Sequence, residues 1–180
     1  QRYDKAIIVG VEIDKEASVQ AQDNVAKSPW KDRITIKKGD FLNFEELESF
    51  DLIVSNPPYF SDSLKNPNVR RKIARHTDSL PIPKLIEKAK KLLSSLGKIV
   101  VILPVKEGRG FIQLAEKQGF YCTGLTKVYP KKTSIAKRLL IEMSLKKEPC
   151  RESTLVIEKE NRHDYTENYI KLVKDFYLNI

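Results

Sequence analysis

The segment FDLIVSNPPYFSDS, residues 50–63, changes character at its centre. Its first half, from Phe50 to Ser55, is apolar and β-branched, which is typical of a buried strand. The two consecutive prolines that follow cannot donate backbone hydrogen bonds, so the sheet ladder must stop there. Asn56 stands just before this break and Tyr59 just after it. The segment therefore predicts a strand whose tip presents an amide and an aromatic ring.

Other apolar runs predict the rest of a sheet. AIIVGVEI (residues 6–13) and KIVVILP (residues 98–104) are also continuous and β-branched, as in parallel strands that are covered on both faces. RITIKK (residues 33–38) is shorter and alternates, as an outer strand does. KRLLIEMSLKK (residues 137–147) alternates, with apolar residues at 139, 141, 143 and 145 on one face and mostly polar residues on the other, which is typical of an antiparallel strand near an edge.

Helical periodicity appears between these strands. It predicts helices in KEASVQAQDNVAK (residues 15–27), PKLIEKAKKLL (residues 83–93) and RGFIQLAEKQG (residues 109–119). A last helix is predicted in residues 164–178, with Asp164 and Glu167 as its capping box. Alternating strands and helices predict an α/β fold with a mostly parallel, doubly wound sheet, and we expect residues 1–180 to form one domain.

Composition limits the possible functions. The chain has 180 residues, 41% of them hydrophobic, and a formal net charge of +9, which favours a polyanionic partner. No run approaches the roughly 18 apolar residues of a membrane span, so we expect no membrane partner. Two cysteines form neither a disulfide framework nor a metal-binding spacing, and two scattered histidines predict no metal site. We therefore expect a cytoplasmic protein.

Five segments resemble one enzyme family. They are GVEIDKEASVQAQDN (residues 10–24), KKGDF (37–41), FDLIVSNPPYF (50–60), ARHTDSL (74–80) and DFYL (175–178). Together they resemble the tRNA1(Val) adenine-N6 methyltransferases, which are Rossmann-like class I enzymes that use S-adenosylmethionine. The Asn-Pro-Pro-Tyr tetrapeptide alone indicates only methylation of a planar amino group, and the companion segments narrow the resemblance to the tRNA family. It implies methylation of N6 of adenosine 37, beside the anticodon of tRNA1(Val).

The tetrapeptide suits this chemistry. The lone pair of an exocyclic amino group is delocalised, so the nitrogen is a poor nucleophile. The Asn56 side-chain oxygen and the Pro57 carbonyl can each accept one N–H and favour the sp³ geometry that attacks a methyl group. Tyr59 offers a stacking face for a flipped base. We predict that the catalytic residues are Asn56, Pro57, Pro58 and Tyr59. The alternative is an ordinary double-proline strand terminator.

Cofactor contacts are predicted at two other strand ends. Glu12 ends the first strand, where an acidic residue of a doubly wound fold binds ribose hydroxyls. The resemblance implies that Asp40 lies near the adenine amino group, that Phe41 lies against the adenine ring, and that Asn56 lies near the sulfonium. The alternatives are a surface carboxylate for Glu12 and a simple Gly-Asp turn around Asp40.

Two groups of cationic or titratable side chains predict contacts with tRNA phosphates. The first lies in the long segment after the tetrapeptide, and the second lies beside the alternating strand. A solvated basic face is the alternative for either group. The first group is Arg70, Arg71, Lys72, Arg75 and His76, and the second is Lys131, Lys132, Lys137 and Arg138.

One part of a class I methyltransferase is not found in the sequence. Gly10 lies inside a strand, and the only G-x-G, at residues 108–110, opens a late helix, so no glycine-rich cofactor loop follows a first strand. We expect an incomplete N-terminus and a gap of one strand, about 10 Å between the strands at 6–13 and 51–55. A protein glutamine-N5 methyltransferase and a non-catalytic RNA-binding fragment remain alternatives. The sequence leaves the oligomeric state open.

Overall fold

The computed structural model describes residues 2–57 and 80–177. The strands are β1 (Ile8–Glu12), β2 (Ile34–Lys38), β3 (Phe50–Ser55), β4 (Leu93–Pro104), β5 (Tyr121–Lys131), β6 (Arg138–Ser144) and β7 (Arg151–Glu158). The helices are α1 (Lys15–Ala26), α2 (Ile82–Leu92), α3 (Val105–Lys117) and α4 (Glu167–Val173). Short 3₁₀ turns lie at Lys31–Arg33 and Phe41–Asn43. Up to β5 the order is strand, helix, strand, strand, helix, strand, helix and strand, as the sequence predicts.

The described chain packs as two compact units, Gln1–Leu47 and Glu48–Ile180. In the first unit β1 and β2 form a parallel pair, and α1 packs against both strands. The helix begins where the Asp14 carboxylate accepts the Ala17 N–H at 2.8 Å, because an N-cap side chain satisfies a donor that has no partner inside the helix. That all 180 residues form one domain remains a prediction.

The second unit contains a five-stranded sheet in the order β3-β4-β6-β5-β7. β3 is parallel to β4, β7 is parallel to β5, and β6 runs antiparallel to both of its neighbours. The predicted antiparallel strand is thus confirmed, and it lies one strand further in than expected. The reason is β7, which the sequence pattern did not predict and which forms the edge.

Helices α2 and α3 cover one face of this sheet. They pack on Ile99, Val101 and Leu103 of β4 and on the alternating apolar side chains of β6, all of which are buried. Helix α3 approaches closely at Gly108, where an added Cβ would lie 3.0 Å from the side chains of Leu139 and Ile141. The G-x-G at residues 108–110 is therefore part of a packed helix.

The expected cover on both faces is wrong for β3. Its alternation leaves Leu52 53% exposed and Val54 70% exposed, because β3 is an edge strand and the described helices pack on the opposite face. In the described part of the chain β1 pairs with β2 and β3 pairs with β4. That residues 6–13 and 51–55 form no ladder with each other stays a prediction. The one-strand gap remains a prediction.

The C-terminal helix begins later than expected. The Thr166 side chain accepts the Tyr169 N–H at 3.3 Å and caps α4, so the predicted capping box at Asp164 is wrong. Asp164 instead forms an ion pair with Lys159 at 3.1 Å. Among the described residues, no helix is long and apolar enough to cross a membrane.

Candidate active site and nucleic-acid interface

The carboxyl ends of β1 and β2 are tied together. Glu12 lies opposite Lys38 in the parallel register, and the next residue, Gly39, donates its N–H to the Glu12 carbonyl oxygen at 2.9 Å. One oxygen of the Glu12 carboxylate accepts the Asp14 N–H at 2.8 Å. The other oxygen has no hydrogen-bond donor among the described residues and remains available as an acceptor.

Asp40 forms the Gly-Asp turn that was the alternative to a cofactor contact at this residue. Its carboxylate accepts the Leu42 N–H at 2.9 Å and the Asn43 side-chain amide at 3.3 Å, and it begins the 3₁₀ turn Phe41–Asn43. A carboxylate has about four lone-pair sites, so these two bonds leave acceptor capacity for a ligand. Phe41 is half-buried beside it.

These residues fit the adenosine part of S-adenosylmethionine. Ribose hydroxyls and an adenine amino group are donors, and the two strand ends present two carboxylates with spare acceptor capacity. The turn between them is open, since a Cβ at Gly39 would meet nothing within 4 Å. The chemistry of Glu12, Asp40 and Phe41 thus matches the group that the resemblance implies.

Asn56 follows β3 directly and is exposed. The alternation of β3 continues into it, because a residue before proline favours an extended backbone. Within the described ranges no hydrogen bond engages its amide. Pro57, in contrast, is fully buried and anchors the chain at the end of the strand. The arrangement combines an accessible amide with a fixed following residue.

The β5–β6 turn lies at the same edge of the sheet as Asn56. β3, β4, β5 and β7 share one direction, so their carboxyl ends meet at one edge. β6 is two strand spacings from β3, which is about 10 Å. The last β5–β6 pair joins Val128 and Arg138, and the turn between these residues, here called the basic turn, extends past this edge. It carries the second predicted group of cations.

These four cations differ in their surroundings. The Lys131 ammonium donates to the Glu160 carbonyl oxygen at 2.7 Å, so it is already engaged. Arg138 is half-buried at the start of β6. Lys132 and Lys137 are exposed, and neither ammonium has an ion-pair partner in the described part of the chain. These two lysines are therefore the best placed of the four to contact phosphate.

Several predicted site residues lie outside the described residues. They are Pro58, Tyr59, Arg70, Arg71, Lys72, Arg75 and His76. Their roles in catalysis and RNA binding remain predictions.

A cleft beside the basic turn was missed by the sequence analysis. It has a volume of about 750 Å³ and lies between the β5–β6 turn and the connection from β7 to α4. Its lining includes Lys132, Thr133, Glu158, Thr166 and Asn168. No sequence signal could have revealed this cleft, because β7 forms its second wall. The first half of β7 is charged and exposed, so its sequence does not show the alternation that predicts a strand.

A charged cluster lies on the face of the sheet that α2 and α3 do not cover. Glu142 accepts hydrogen bonds from Lys98 at 3.0 Å, Thr123 at 2.8 Å and Arg151 at 3.0 Å. Partial burial opposes ionisation of Glu142 and raises its pKa, but the bonds from Lys98 and Thr123 outweigh it and hold the pKa below the ordinary value. This cluster joins β4, β5, β6 and β7 and is structural.

Comparison with known proteins identifies the family. Residues 1–134 match the family described as UPF0020, RMKL-like, methyltransferase domain. The tRNA1(Val) (adenine(37)-N6)-methyltransferase of Phocaeicola vulgatus is 43% identical over 175 residues, which cover 97% of this chain and 74% of that protein. The chain belongs to the tRNA1(Val) (adenine(37)-N6)-methyltransferase family. The Aliivibrio fischeri member is 41% identical and covers 100% of this chain and 76% of its own length.

Solved structures confirm the fold expected of a tRNA1(Val) (adenine(37)-N6)-methyltransferase. A predicted O-methyltransferase from Agrobacterium tumefaciens matches with a TM-score of 0.73 and 18% identity, covering 96% of this chain and 79% of that one. A glycopeptide N-methyltransferase complexed with S-adenosylmethionine matches with a TM-score of 0.55 and 12% identity, covering 77% of each chain. The class I methyltransferase fold predicted from the sequence is confirmed.

Proposed function

We propose that this protein methylates N6 of adenosine 37 in tRNA1(Val) and uses S-adenosylmethionine as the methyl donor. The observation that carries the proposal is Asn56, exposed at the carboxyl end of β3 and followed by the fully buried Pro57. This is the place where an open α/β sheet binds its ligand. Membership of the family supplies the substrate, because its curated members are named for this reaction. A cytoplasmic location is part of the proposal.

Asn56 and Pro57 would act on the acceptor nitrogen. The amide oxygen of Asn56 accepts one N–H of the adenine amino group, and the carbonyl oxygen of Pro57 accepts the other. Both hydrogen bonds become stronger as the nitrogen gains positive charge, so the two acceptors stabilise the transition state more than the bound substrate. Because Pro57 is buried, its carbonyl group is held in a fixed orientation before the substrate binds.

Glu12, Asp40 and Phe41 would hold the cofactor. The free oxygen of the Glu12 carboxylate accepts from a ribose hydroxyl, and Asp40 accepts from the adenine amino group while it caps its own turn. Phe41 packs on the adenine ring. When bound, S-adenosylmethionine supplies an electrophilic methyl group on its sulfonium.

The basic turn would bind the backbone of the tRNA. Lys132 and Lys137 contact phosphates at the edge of the sheet that carries Asn56. Phosphate contacts give affinity and register, and the extruded base gives specificity. Arg70, Arg71, Lys72, Arg75 and His76 are proposed as further contacts, and Tyr59 as the stacking surface for the base.

A substrate with a single change tests this function. An anticodon stem-loop of tRNA1(Val) is compared with one that carries purine, which lacks the amino group, in place of adenine 37. We expect methyl transfer to the first and none to the second. Equal transfer to both would place the methyl group at another atom and would contradict the proposal.

A further inference from the structure

The only two cysteines of the chain lie side by side. The Sγ atoms of Cys122 and Cys150 are 3.6 Å apart, although 28 positions separate the residues in the sequence. Cys122 is the second residue of β5, and Cys150 directly precedes β7. Both thiols are reduced in the structure. Spacing in the sequence gave no indication of this pair, because β7 was not predicted.

The backbone geometry suits a cross-link. β5 and β7 are hydrogen-bonded neighbours, with Gly124 opposite Arg151. This register, continued by one residue, places Cys150 opposite Thr123 and one position from Cys122. A strand spacing of about 4.8 Å with an offset of about 3.3 Å separates the two Cα atoms by roughly 6 Å, within the usual range of about 4.4–6.8 Å for disulfides. The sulfur atoms are already in contact, so a small side-chain rotation brings them to bonding distance. We propose that Cys122 and Cys150 form a reversible disulfide when a hydroperoxide oxidises the protein, and that this bond locks the edge strand β7 to β5.

The two thiols have different roles in this chemistry. Cys150 is exposed and meets the oxidant first. Its sulfur takes one oxygen from the hydroperoxide, which leaves as an alcohol or as water, and becomes a sulfenic acid. The Cys122 sulfur then attacks the Cys150 sulfur, a disulfide forms, and water leaves with the Cys122 proton. Burial first, and the hydrogen bond with Cys150 second, raise the pKa of Cys122 to about 12, so Cys122 is not the thiol that reacts first.

The cross-link would stabilise an edge without reaching the proposed active site. Cys122 and Cys150 lie at the amino ends of β5 and β7, whereas Asn56 lies at the carboxyl end of the parallel strands. An edge strand exposes unpaired backbone groups and is a common start of aggregation. A bond that fixes β7 to β5 prevents β7 from detaching and keeps the edge of β5 covered when the protein is oxidised. The inference does not depend on the proposed function.

The test combines mass and thermal stability. The purified protein is treated with hydrogen peroxide, and free thiols, intact mass and disulfide-linked peptides are measured. We expect the number of free thiols to fall from two to zero and the intact mass to fall by two hydrogen atoms. A disulfide-linked Cys122–Cys150 peptide should appear. The Tm should rise by roughly 5 °C or more and return on reduction with dithiothreitol.

Two controls make the result decisive. Cys150→Ser, at an exposed position, should show no gain in Tm on oxidation, and Cys150→Ala should behave in the same way. Dimers linked through Cys150, or sulfinic acid at Cys150 with Cys122 still reduced, would overturn the disulfide. A Cys122–Cys150 peptide without any change in Tm would overturn the locking of β7.

Discussion

The Gly39 N–H donates to the carbonyl oxygen of Glu12 at 2.9 Å and joins the carboxyl ends of β1 and β2. Through this bond the turn that carries Asp40 is held next to the loop that carries the Glu12 carboxylate. One oxygen of that carboxylate stabilises its own loop through the Asp14 N–H. The other accepts no hydrogen bond from the described residues.

Glu12→Gln should weaken binding of S-adenosylmethionine by about tenfold, because a hydrogen bond to a carboxylate is stronger than one to an amide. The glutamine oxygen can still accept the Asp14 N–H, so the loop should keep its structure. Titration calorimetry measures the Kd, and Glu16→Gln, at an exposed position of α1, is the matched control. An unchanged Kd for Glu12→Gln would remove Glu12 from the cofactor site.

Asn56→Ala should lower turnover at least about 100-fold while the Kd for S-adenosylmethionine changes less than about threefold. The missing acceptor acts on the transition state, not on cofactor binding. Asn56→Asp keeps an oxygen acceptor and should retain more turnover than the alanine variant. Asn24→Ala, an exposed amide on α1, is the control. Turnover of Asn56→Ala within a few-fold of wild type would contradict the assignment.

The double variant Lys132→Ala, Lys137→Ala should weaken tRNA binding and flatten its salt dependence. Each phosphate contact contributes about 0.7–0.9 to the slope of log affinity against log salt, so we expect a change of about 1.5. Lys147→Ala is the matched control, since this lysine is also exposed and lies beyond the opposite end of β6. Fluorescence anisotropy at several salt concentrations gives the slopes.

Identical slopes in wild type and the double variant would show that these lysines do not contact phosphates and belong to a solvated basic face. The same experiment applies to Arg70→Ala with Arg71→Ala, which lie outside the described residues. There too we expect a flatter slope, by about one unit for each phosphate that the variant no longer binds.

Glu142→Gln should reduce stability near pH 7 by about 1–2 kcal/mol, because the ion pairs with Lys98 and Arg151 become hydrogen bonds from a charged donor to a neutral amide. The folded-state pKa of Glu142 lies below its ordinary value of 4.5. Its contribution to stability is therefore present above pH 4.5 and is lost as the pH falls through the folded-state pKa. The stability difference between wild type and Glu142→Gln should shrink as the pH falls below 4.5 and through the folded-state pKa.

Urea unfolding between pH 3 and pH 7 measures this difference. Glu45→Gln is the control, because Glu45 is exposed and has no ion-pair partner in the described ranges. A difference between wild type and Glu142→Gln that stays constant over this pH range would show that the charge of Glu142 does not stabilise the fold.

Local pattern was sufficient for much of the fold. The strict alternation of β6 reflects one face buried under α3, and Leu139, Ile141 and Met143 are indeed buried. The helix stop at Gly119 is confirmed by its positive φ of 88°, which glycine adopts without strain. Asn56 could be identified because two prolines after an apolar run end the strand and leave the preceding amide at its tip.

What the sequence did not reveal depends on long-range pairing. β7 contains charged residues and is exposed over its first four positions, so its pattern does not resemble a strand. Its pairing with β5 brings Cys150 to Cys122 and forms one wall of the cleft beside Lys132. The choice of Thr166 over Asp164 as the cap of α4 also depends on β7, because the N–H and the hydroxyl of Thr166 donate to the carbonyl oxygens of Ile157 and Val156.

The most direct test of the proposed function is nucleoside mass spectrometry after incubation of the protein with tRNA and S-adenosylmethionine labelled in its methyl group. We predict labelled N6-methyladenosine at position 37 of tRNA1(Val), and none with Asn56→Ala. Label in a protein glutamine and none in the tRNA would indicate the glutamine methyltransferase instead. Binding of tRNA with no label in any acceptor would contradict the account and indicate a non-catalytic RNA-binding protein.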